Sequence, residues 1–340
     1  MKPFIRLTTN YLFILMLIGT YSCGNDDSVT GPMPNEPIKT IYKELVDNPN
    51  LTSFTMALDK LVSTKNILND STELAISVNT FTVFAPTNDA FDTFLLNNGY
   101  DGVEAIDMDN PDDFAFLWSY IHGHITQLET ISDMMKEEGS GYLTTFTDDG
   151  ISMFFNSSNN AITLNGIAMI IEADMYATNG VIHIIDNVIP IPTLTTFIET
   201  DPDFSIMNEA LENIAVMQGS TIQEDFTNAI AYSAFIPNNS AFESLYEEGG
   251  VNSLIDFPSS IIEDIVEVHM LPNMHFNSGD IEDAIDGTIS TLTDDLHVAL
   301  DDSEFFTLTD PQDRTATIIK TDIMASNGYL HVIDKVLLGN

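Results

Sequence analysis

Two histidine–aspartate pairs with identical spacing are the residues of this sequence best suited to acid–base chemistry. His183 and Asp186 lie in "NGVIHIIDNVI", and His331 and Asp334 lie in "NGYLHVIDKVL". A histidine that a carboxylate orients is a common general base. Both segments are rich in β-branched residues, which predicts strands, and residues three apart on a strand point to opposite faces. The spacing therefore indicates structural histidines rather than catalytic dyads.

Other candidates for metal or nucleophilic chemistry are weaker. His122 and His124 would share a face only on a strand, which gives little support to a metal site. The acidic segments 107–113 and 294–304 are interpreted as solvated surface, with weak calcium binding as the alternative. The sequence has none of the common zinc-protease, serine-hydrolase or phosphate-binding motifs. It therefore predicts a protein that is not an enzyme and has no required cofactor or metal; a hydrolase pocket around His124 or His269 is the remaining alternative.

The two histidine segments belong to a longer internal duplication. "TVFAPTNDAF" (82–91) corresponds to "SAFIPNNSAF" (233–242), and "NPNLTSFTMAL" (48–58) corresponds to "DPDFSIMNEAL" (201–211). The matching segments occur in the same order and at nearly constant separation. A chain of 340 residues has room for two such units.

Each copy predicts helices first and strands last. Apolar residues recur at three- and four-residue steps in 51–61 and 204–214, as on one face of a helix. "FTVFAP" and "YSAFIP" read as strands that end at proline, and Asn or Asp before the following Ala-Phe pair predicts a helix start. The Asn-Gly in "ITLNGIAMII" predicts a hairpin before the first histidine segment. This order is typical of an α+β fold.

The motifs closely resemble the fasciclin-like domain family over residues 38–340. Its Thr-x-Phe-Ala-Pro-Thr-Asn-x-Ala-Phe and Asn-Gly-x-x-His-x-Ile-Asp-x-Val signatures match this sequence, the second of them in both halves. The resemblance implies two tandem domains, 38–192 and 193–340, each a β-sandwich or wedge of short strands with a helical layer. It also marks a set of family-motif residues, interpreted as structural: Phe84, Pro86, Asn88, His124, Asn179, Gly180, His183, Asp186, Pro237, His269, Asn327, Gly328, His331 and Asp334.

The resemblance implies non-catalytic adhesion or matrix interaction at the cell envelope, through protein or glycan partners. Asp174-Met175 and Asp322-Ile323 are similar to an Asp-Ile-Met step associated with adhesion in animal members of the family. The alternative for these residues is a strand edge that packs its apolar side chain inward. The alternative function is a glycan-binding surface lipoprotein that assists polysaccharide capture. It requires exposed tyrosines paired in a groove, because the single tryptophan, Trp118, lies in an apolar segment.

Charge and the N-terminal segment predict location. With 52 acidic and 10 basic residues the net charge is -42, which disfavours nucleic acid as a partner. A basic start, a short apolar run and Cys23 resemble a bacterial lipoprotein signal peptide at 1–23; a plain secretory signal is the alternative. The segment 24–37 reads as a flexible tether. We therefore expect a lipid-anchored envelope protein, in the outer membrane and with surface exposure left open.

Overall fold

The computed structural model describes residues 39–65, 80–218 and 231–340, together with Ile222 and Phe226. The predicted signal peptide, its Cys23 and the predicted tether lie outside the described residues. The chain from Pro37 to Asn340 forms one compact unit. Within the described ranges, no helix combines the length and the apolar character needed to cross a membrane.

The first half of this unit contains five α-helices and seven strands within the described ranges, and a short 3-10 helix, Val103–Ala105. In chain order they are α1 Ile41–Asp47, α2 Thr52–Lys65, β1 Phe81–Pro86, α3 Asn88–Asn97, α4 Pro111–Gly123, β2 Ile125–Gln127, α5 Ser132–Glu138, β3 Ser140–Thr144, β4 Ser152–Ser158, β5 Ala161–Leu164, β6 Ala168–Ala177 and β7 Gly180–Ile185.

The second half repeats the pattern, with 3-10 helices at Pro202–Phe204 and Leu254–Asp256. Its elements are α6 Leu194–Thr200, α7 Ser205–Gln218, β8 Tyr232–Pro237, α8 Asn239–Gly249, α9 Ser259–Val268, β9 Met270–Pro272, α10 Ser278–Asp283, β10 Thr288–Ser290, β11 Asp295–Leu300, β12 Phe306–Thr309, β13 Thr315–Ala325 and β14 Gly328–Ile333. The two predicted proline-terminated strands have the predicted bounds, and both histidine segments form the last strand of their half.

Each half has one seven-stranded sheet of the same topology. The orders are β2-β1-β7-β6-β5-β4-β3 and β10-β11-β12-β13-β14-β8-β9. In each sheet the last strand, which carries the histidine, pairs in parallel with the proline-terminated strand and antiparallel with the long strand before it. In the first sheet the outer strands also meet, because the Phe146 amide donates to the Ile125 carbonyl at 2.7 Å. The histidine strands are therefore central and covered on both sides.

Most helices pack their apolar faces on one side of each sheet, whereas Met135 of α5 and Ile281 of α10 belong to the smaller clusters. In the first half, Leu51, Phe54 and Leu58 on and beside α2 are buried against Phe91 of α3 and Ile182 of β7. The second half has the equivalent cluster around α7, α8 and α9. A smaller cluster fills the other side of each sheet. The prediction of two tandem α+β domains is confirmed.

Side chains of domain 1 also enter the core of domain 2. Phe154 is 1% exposed and belongs to the same apolar cluster as Phe197 of α6. The Tyr142 hydroxyl donates to the Asp201 carboxylate at 2.8 Å, and the Lys320 ammonium lies 4.4 Å from the centre of the Tyr142 ring. Burial raises the pKa of both Tyr142 and Asp201. The two domains therefore share packing, and the boundary between 192 and 193 stays a prediction.

Candidate functional site

Each long strand, β6 and β13, bends at the aspartate that the sequence marks as an adhesion candidate. The pairing register shifts between Glu172 and Met175 and, in the second copy, between Lys320 and Ile323. Asp174 and Asp322 both adopt φ +59°, in the left-handed region that short polar residues tolerate best. The bulge turns each aspartate out of the regular ladder.

The turned aspartates bind the start of the helix that follows the central histidine. Asp174 accepts the backbone amide of Ser132 at 2.8 Å and its hydroxyl at 2.5 Å. Asp322 accepts the amide of Ser278 at 2.8 Å and also its hydroxyl. Carboxylates at helix N-termini satisfy free amides and favour the helix dipole. Each aspartate thus ties a short helix, α5 or α10, to the bent strand.

The repeated histidines complete this arrangement from the buried side. The Nδ1 atom of His183 accepts the Asp174 amide at 3.2 Å, and its Nε2 lies 2.8 Å from the Thr130 carbonyl, so Nε2 carries the proton. His331 repeats both contacts, with the Asp322 amide and the Phe276 carbonyl. Burial lowers the pKa of both imidazoles. With both nitrogens used and neutral, neither histidine is placed to move a proton to a substrate.

Asp186 and Asp334, which follow the repeated histidines by three residues, bind other parts of the fold. Asp186 accepts the Met169 amide at 2.8 Å, and Asp334 accepts the Thr317 amide at 2.6 Å. Each therefore holds the long strand to the end of the histidine strand. The structure does not bring these aspartates to His183 or His331 as dyads.

The central histidines, His124 and His269, are buried hydrogen-bond bridges. The Nδ1 of His124 donates to the Tyr120 carbonyl at 2.6 Å, and its Nε2 accepts the Ile189 amide at 2.9 Å. His269 makes the same bonds with Ile265 and Leu337. Desolvation lowers the pKa of both side chains to about 4. Both therefore remain neutral near pH 7.

The Asn-Gly dipeptides join the two ends of each domain. The side-chain oxygen of Asn179 accepts the Ile41 amide at 2.8 Å, and that of Asn327 accepts the Leu194 amide at 3.0 Å. The following glycines, Gly180 and Gly328, lie directly beside the backbone of the neighbouring parallel strand. These positions connect the first helix of each domain to its last strand.

The remaining family-motif residues shape the strand–helix junction. Phe84 stacks on His183 with ring centres 5.3 Å apart. Pro86 and Pro237 end their strands in the core. Asn88 accepts the Ser53 amide at 2.9 Å and donates to the Pro49 carbonyl at 2.8 Å. These contacts explain the residue types without a ligand.

The acidic segments use their carboxylates within the chain. Asp113 accepts the Tyr100 hydroxyl and the Asp107 amide, and Asp301 accepts the Ser303 and Phe305 amides. Across the ranges that the structure describes, no three His, Cys, Asp or Glu side chains are grouped to hold a metal ion. The geometry gives weak calcium binding no specific site there.

Comparison with known proteins agrees with the repeated geometry. The fasciclin domain model matches residues 49–192 and 202–339. The chain belongs to the fasciclin domain family. It is 25% identical to human periostin over 76% of this chain and 28% of periostin, and 22% identical to Drosophila melanogaster fasciclin-1 over 87% and 45%. A solved FAS1 domain pair from the insect cell adhesion molecule fasciclin I has a TM-score of 0.48 at 18% identity, over 87% of this chain and 95% of that one.

This fasciclin domain pair therefore spans about a third of the length of the curated relatives it matches first: 28% of periostin and 34% of pig transforming growth factor-beta-induced protein ig-h3. The activity and partners of those longer proteins enter below only as proposals.

The two adhesion candidates differ in how far a partner can reach them. Met175 is partly buried against the domain 1 core, and Ile323 is 2% exposed. Ile323 packs inward, as the strand-edge alternative expects, so a partner cannot touch it in this conformation. The carboxylates of Asp174 and Asp322 already bind serines. A role for these four residues in adhesion stays a prediction.

Sequence reasoning missed the partners of the aspartates and an exposed surface next to the first of them. Ser132 and Ser278 start short helices, and each serine follows its central histidine by eight or nine positions, a weak signal that only the repeat brings out. Leu128, Met134 and Tyr176 are 72%, 55% and 50% exposed, and the charges of Glu129 and Asp133, the chain neighbours of the first two, act on Tyr176 together with that of Asp174. These three side chains are called the bend surface of domain 1.

Proposed function

We propose that this protein is a lipid-anchored, non-catalytic adhesion protein that binds an extracellular matrix protein through the bend surface of domain 1. Membership of the fasciclin domain family supports the adhesion role. The observation that carries the choice of surface is the exposure of Leu128, Met134 and Tyr176 around a rigidly bonded strand bend. Exposed aromatic and apolar side chains on a rigid support are typical anchors of protein interfaces.

The equivalent bend of domain 2 is less available to a partner. The position of Tyr176 is taken there by Met324, which is partly buried and whose amide donates to the Ser152 hydroxyl of domain 1 at 3.0 Å. Contacts between the domains thus cover part of the second bend. Domain 1 is therefore proposed as the binding domain.

Charge supports a protein partner with a basic contact region. Burial raises the pKa of the Tyr176 hydroxyl, and the nearby carboxylates of Asp174, Glu129 and Asp133 raise it further. An apolar contact ringed by carboxylates favours lysine- or arginine-bearing partners and disfavours anionic ones. We expect the binding rate to fall as salt screens this field.

Substitution of Tyr176 tests the bend surface. We expect Tyr176→Ser to weaken retention of protein-coated beads on a matrix-protein surface about tenfold, the equivalent of about 1.4 kcal/mol. Because the side chain is half exposed, thermal unfolding should change little. Leu96→Ser is the matched control, since Leu96 is 61% exposed on α3. Equal losses for both variants would contradict a specific role for the bend surface.

The lipid anchor is the second part of the proposal. Cys23 follows a short apolar run and precedes a Gly-, Pro- and Asp-rich segment, which supports lipidation at this residue and a tether long enough to hold the domains off the membrane. Display at the outer membrane is the expected location.

Removal of Cys23 tests the anchor. We expect Cys23→Ala to move most of the protein from the membrane pellet to the soluble fraction after cell disruption, because the proposed lipid is attached at this residue. Ser22→Ala, which leaves the cysteine in place, serves as the control. Persistent pelleting of Cys23→Ala in high salt would disprove lipid anchoring.

A further inference from the structure

A cavity of about 360 Å3 lies between the two fasciclin domains. Domain 1 contributes Tyr120 and Asp149 to its lining, the connecting segment contributes Pro190, and domain 2 contributes Tyr329. Its volume falls in the range of small-molecule sites, which also tend to form between domains. It is separate from the bend surface of domain 1, and none of the residues assigned above to adhesion lines it.

The walls of this interdomain cavity are fixed by hydrogen bonds. Asn165 is 1% exposed; its side chain accepts the Phe154 amide at 2.8 Å and donates to the Pro190 carbonyl at 3.0 Å. The Ser152–Met324 bond joins the two domains at the same place. A cavity with bonded walls needs little reorganisation when a ligand binds.

The lining combines aromatic rings, hydroxyl groups and apolar side chains. The Tyr120 ring itself packs against Phe94 and Phe116 of domain 1, with ring centres 4.5 and 5.1 Å apart. Tyr120 therefore offers its hydroxyl to the cavity, and Tyr329 lines it from domain 2. Ser119 and Thr147 add further hydroxyls, and Met153 is one of the apolar lining residues. The Tyr329 ring together with several hydroxyl groups and apolar side chains suits a ring compound that carries hydroxyl groups.

Charge narrows the class of ligand. No lysine or arginine is among the described residues that line the cavity, whereas Asp149 is. The whole chain carries a net charge of -42. Anionic ligands are therefore repelled, and the acceptor oxygens of Asp149 favour a ligand that donates hydrogen bonds.

We propose that the interdomain cavity binds a neutral saccharide of one or two rings, with Tyr329 as its aromatic contact and the Tyr120 hydroxyl as a hydrogen-bonding group. The ligand contacts both domains, so its binding also stabilises their relative arrangement by mass action. This site is independent of the lipid anchor and of protein binding at the bend surface of domain 1.

Binding of simple sugars to the purified full-length chain tests the proposal. The probes are glucose, galactose, N-acetylglucosamine and cellobiose, with glucuronate as the charged comparison, followed by isothermal titration and saturation-transfer NMR. We expect saturable binding of at least one neutral probe with a dissociation constant of about 1 mM, and no binding of glucuronate. Tyr329→Ala should weaken this binding at least tenfold, and Tyr120→Phe, which keeps the ring packing, by a smaller factor.

Phe305→Ala is the matched control, because Phe305 is an aromatic residue that is 55% exposed outside the cavity; the affinity of this variant for the sugar should equal that of the wild type. Thermal unfolding of each variant without ligand separates lost binding from lost folding. The proposal is overturned if no neutral probe saturates, if glucuronate binds as tightly, or if Phe305→Ala and Tyr329→Ala weaken binding equally. If Tyr176→Ser lost bead retention but still bound the sugar, the result would concern only adhesion and would leave the saccharide proposal unaffected.

Discussion

Gly328→Ala should prevent domain 2 from folding. A Cβ at this glycine would lie 1.4 Å from the Tyr232 carbonyl oxygen, and at Gly180 it would lie 1.9 Å from that of Phe81. The obstacle is strand backbone, which cannot move aside without breaking the parallel pairing of β14 with β8. The φ of +150° at Gly328 adds strain for any other residue. We expect a loss of more than about 4 kcal/mol of unfolding free energy.

Gly250→Ala is the control for this prediction. Gly250 also has a positive φ, +65°, but nothing lies within 4 Å of its added Cβ. Its substitution should cost only about 1 kcal/mol, the usual penalty for a left-handed residue. Urea unfolding of both variants measures the difference. A Gly328→Ala protein as stable as Gly250→Ala would show that close approach of the two strands is not required.

Acid should unfold the protein through its buried histidines. The folded state holds His124 and His269 neutral, with pKa values lowered to about 4, whereas the unfolded chain protonates them near 6.5. The unfolded state therefore binds more protons between these values, and stability falls as pH falls. Since one pKa unit corresponds to about 1.4 kcal/mol, each histidine should remove about 3 kcal/mol between pH 7 and pH 4.

The net charge predicts the opposite trend. Protonation of carboxylates relieves repulsion in a chain of charge -42 and would stabilise it in mild acid. Two buried histidines, supported by the lowered pKa values of His183 and His331, should outweigh this effect. Unfolding free energies measured from pH 7 to pH 4, together with NMR titration of the imidazoles, show whether the buried histidines or the relief of charge repulsion dominates. An unfolding free energy that rises steadily down to pH 4 would contradict destabilisation by the buried histidines.

Much of the fold was predictable because its signals are local. The proline-terminated strands, the Asn-Gly hairpin at Asn165 and the histidine strands follow from residue types and short spacings, and the duplication supplied each signal twice. Asp201 ends α6 and caps the 3-10 helix at Pro202–Phe204, and Asn48 likewise ends α1 and accepts the Asn50 amide at 3.0 Å. A short polar side chain before proline indicates this turn in both copies.

The candidate sites were less predictable because they depend on contacts between distant segments. The Ser132 and Asp174 partners are 42 positions apart, and Tyr142 meets Asp201 across 59. Nothing in the spacing of these residues indicates their pairing. The interdomain cavity depends on segments that are even further apart in the sequence, since Tyr120 and Tyr329 line it together only after both domains have folded and packed. The family resemblance marks the adhesion candidates but does not indicate that Ile323 is buried.

The measurement that most directly tests the account is binding of the soluble chain, residues 24–340, to immobilised extracellular matrix proteins by surface plasmon resonance, with and without calcium. The account predicts saturable binding to a matrix protein that is independent of calcium, weakened by salt and lost with Tyr176→Ser but not with Leu96→Ser. Absence of binding to every matrix protein, or binding that Tyr176→Ser leaves intact, would contradict adhesion through the bend surface of domain 1.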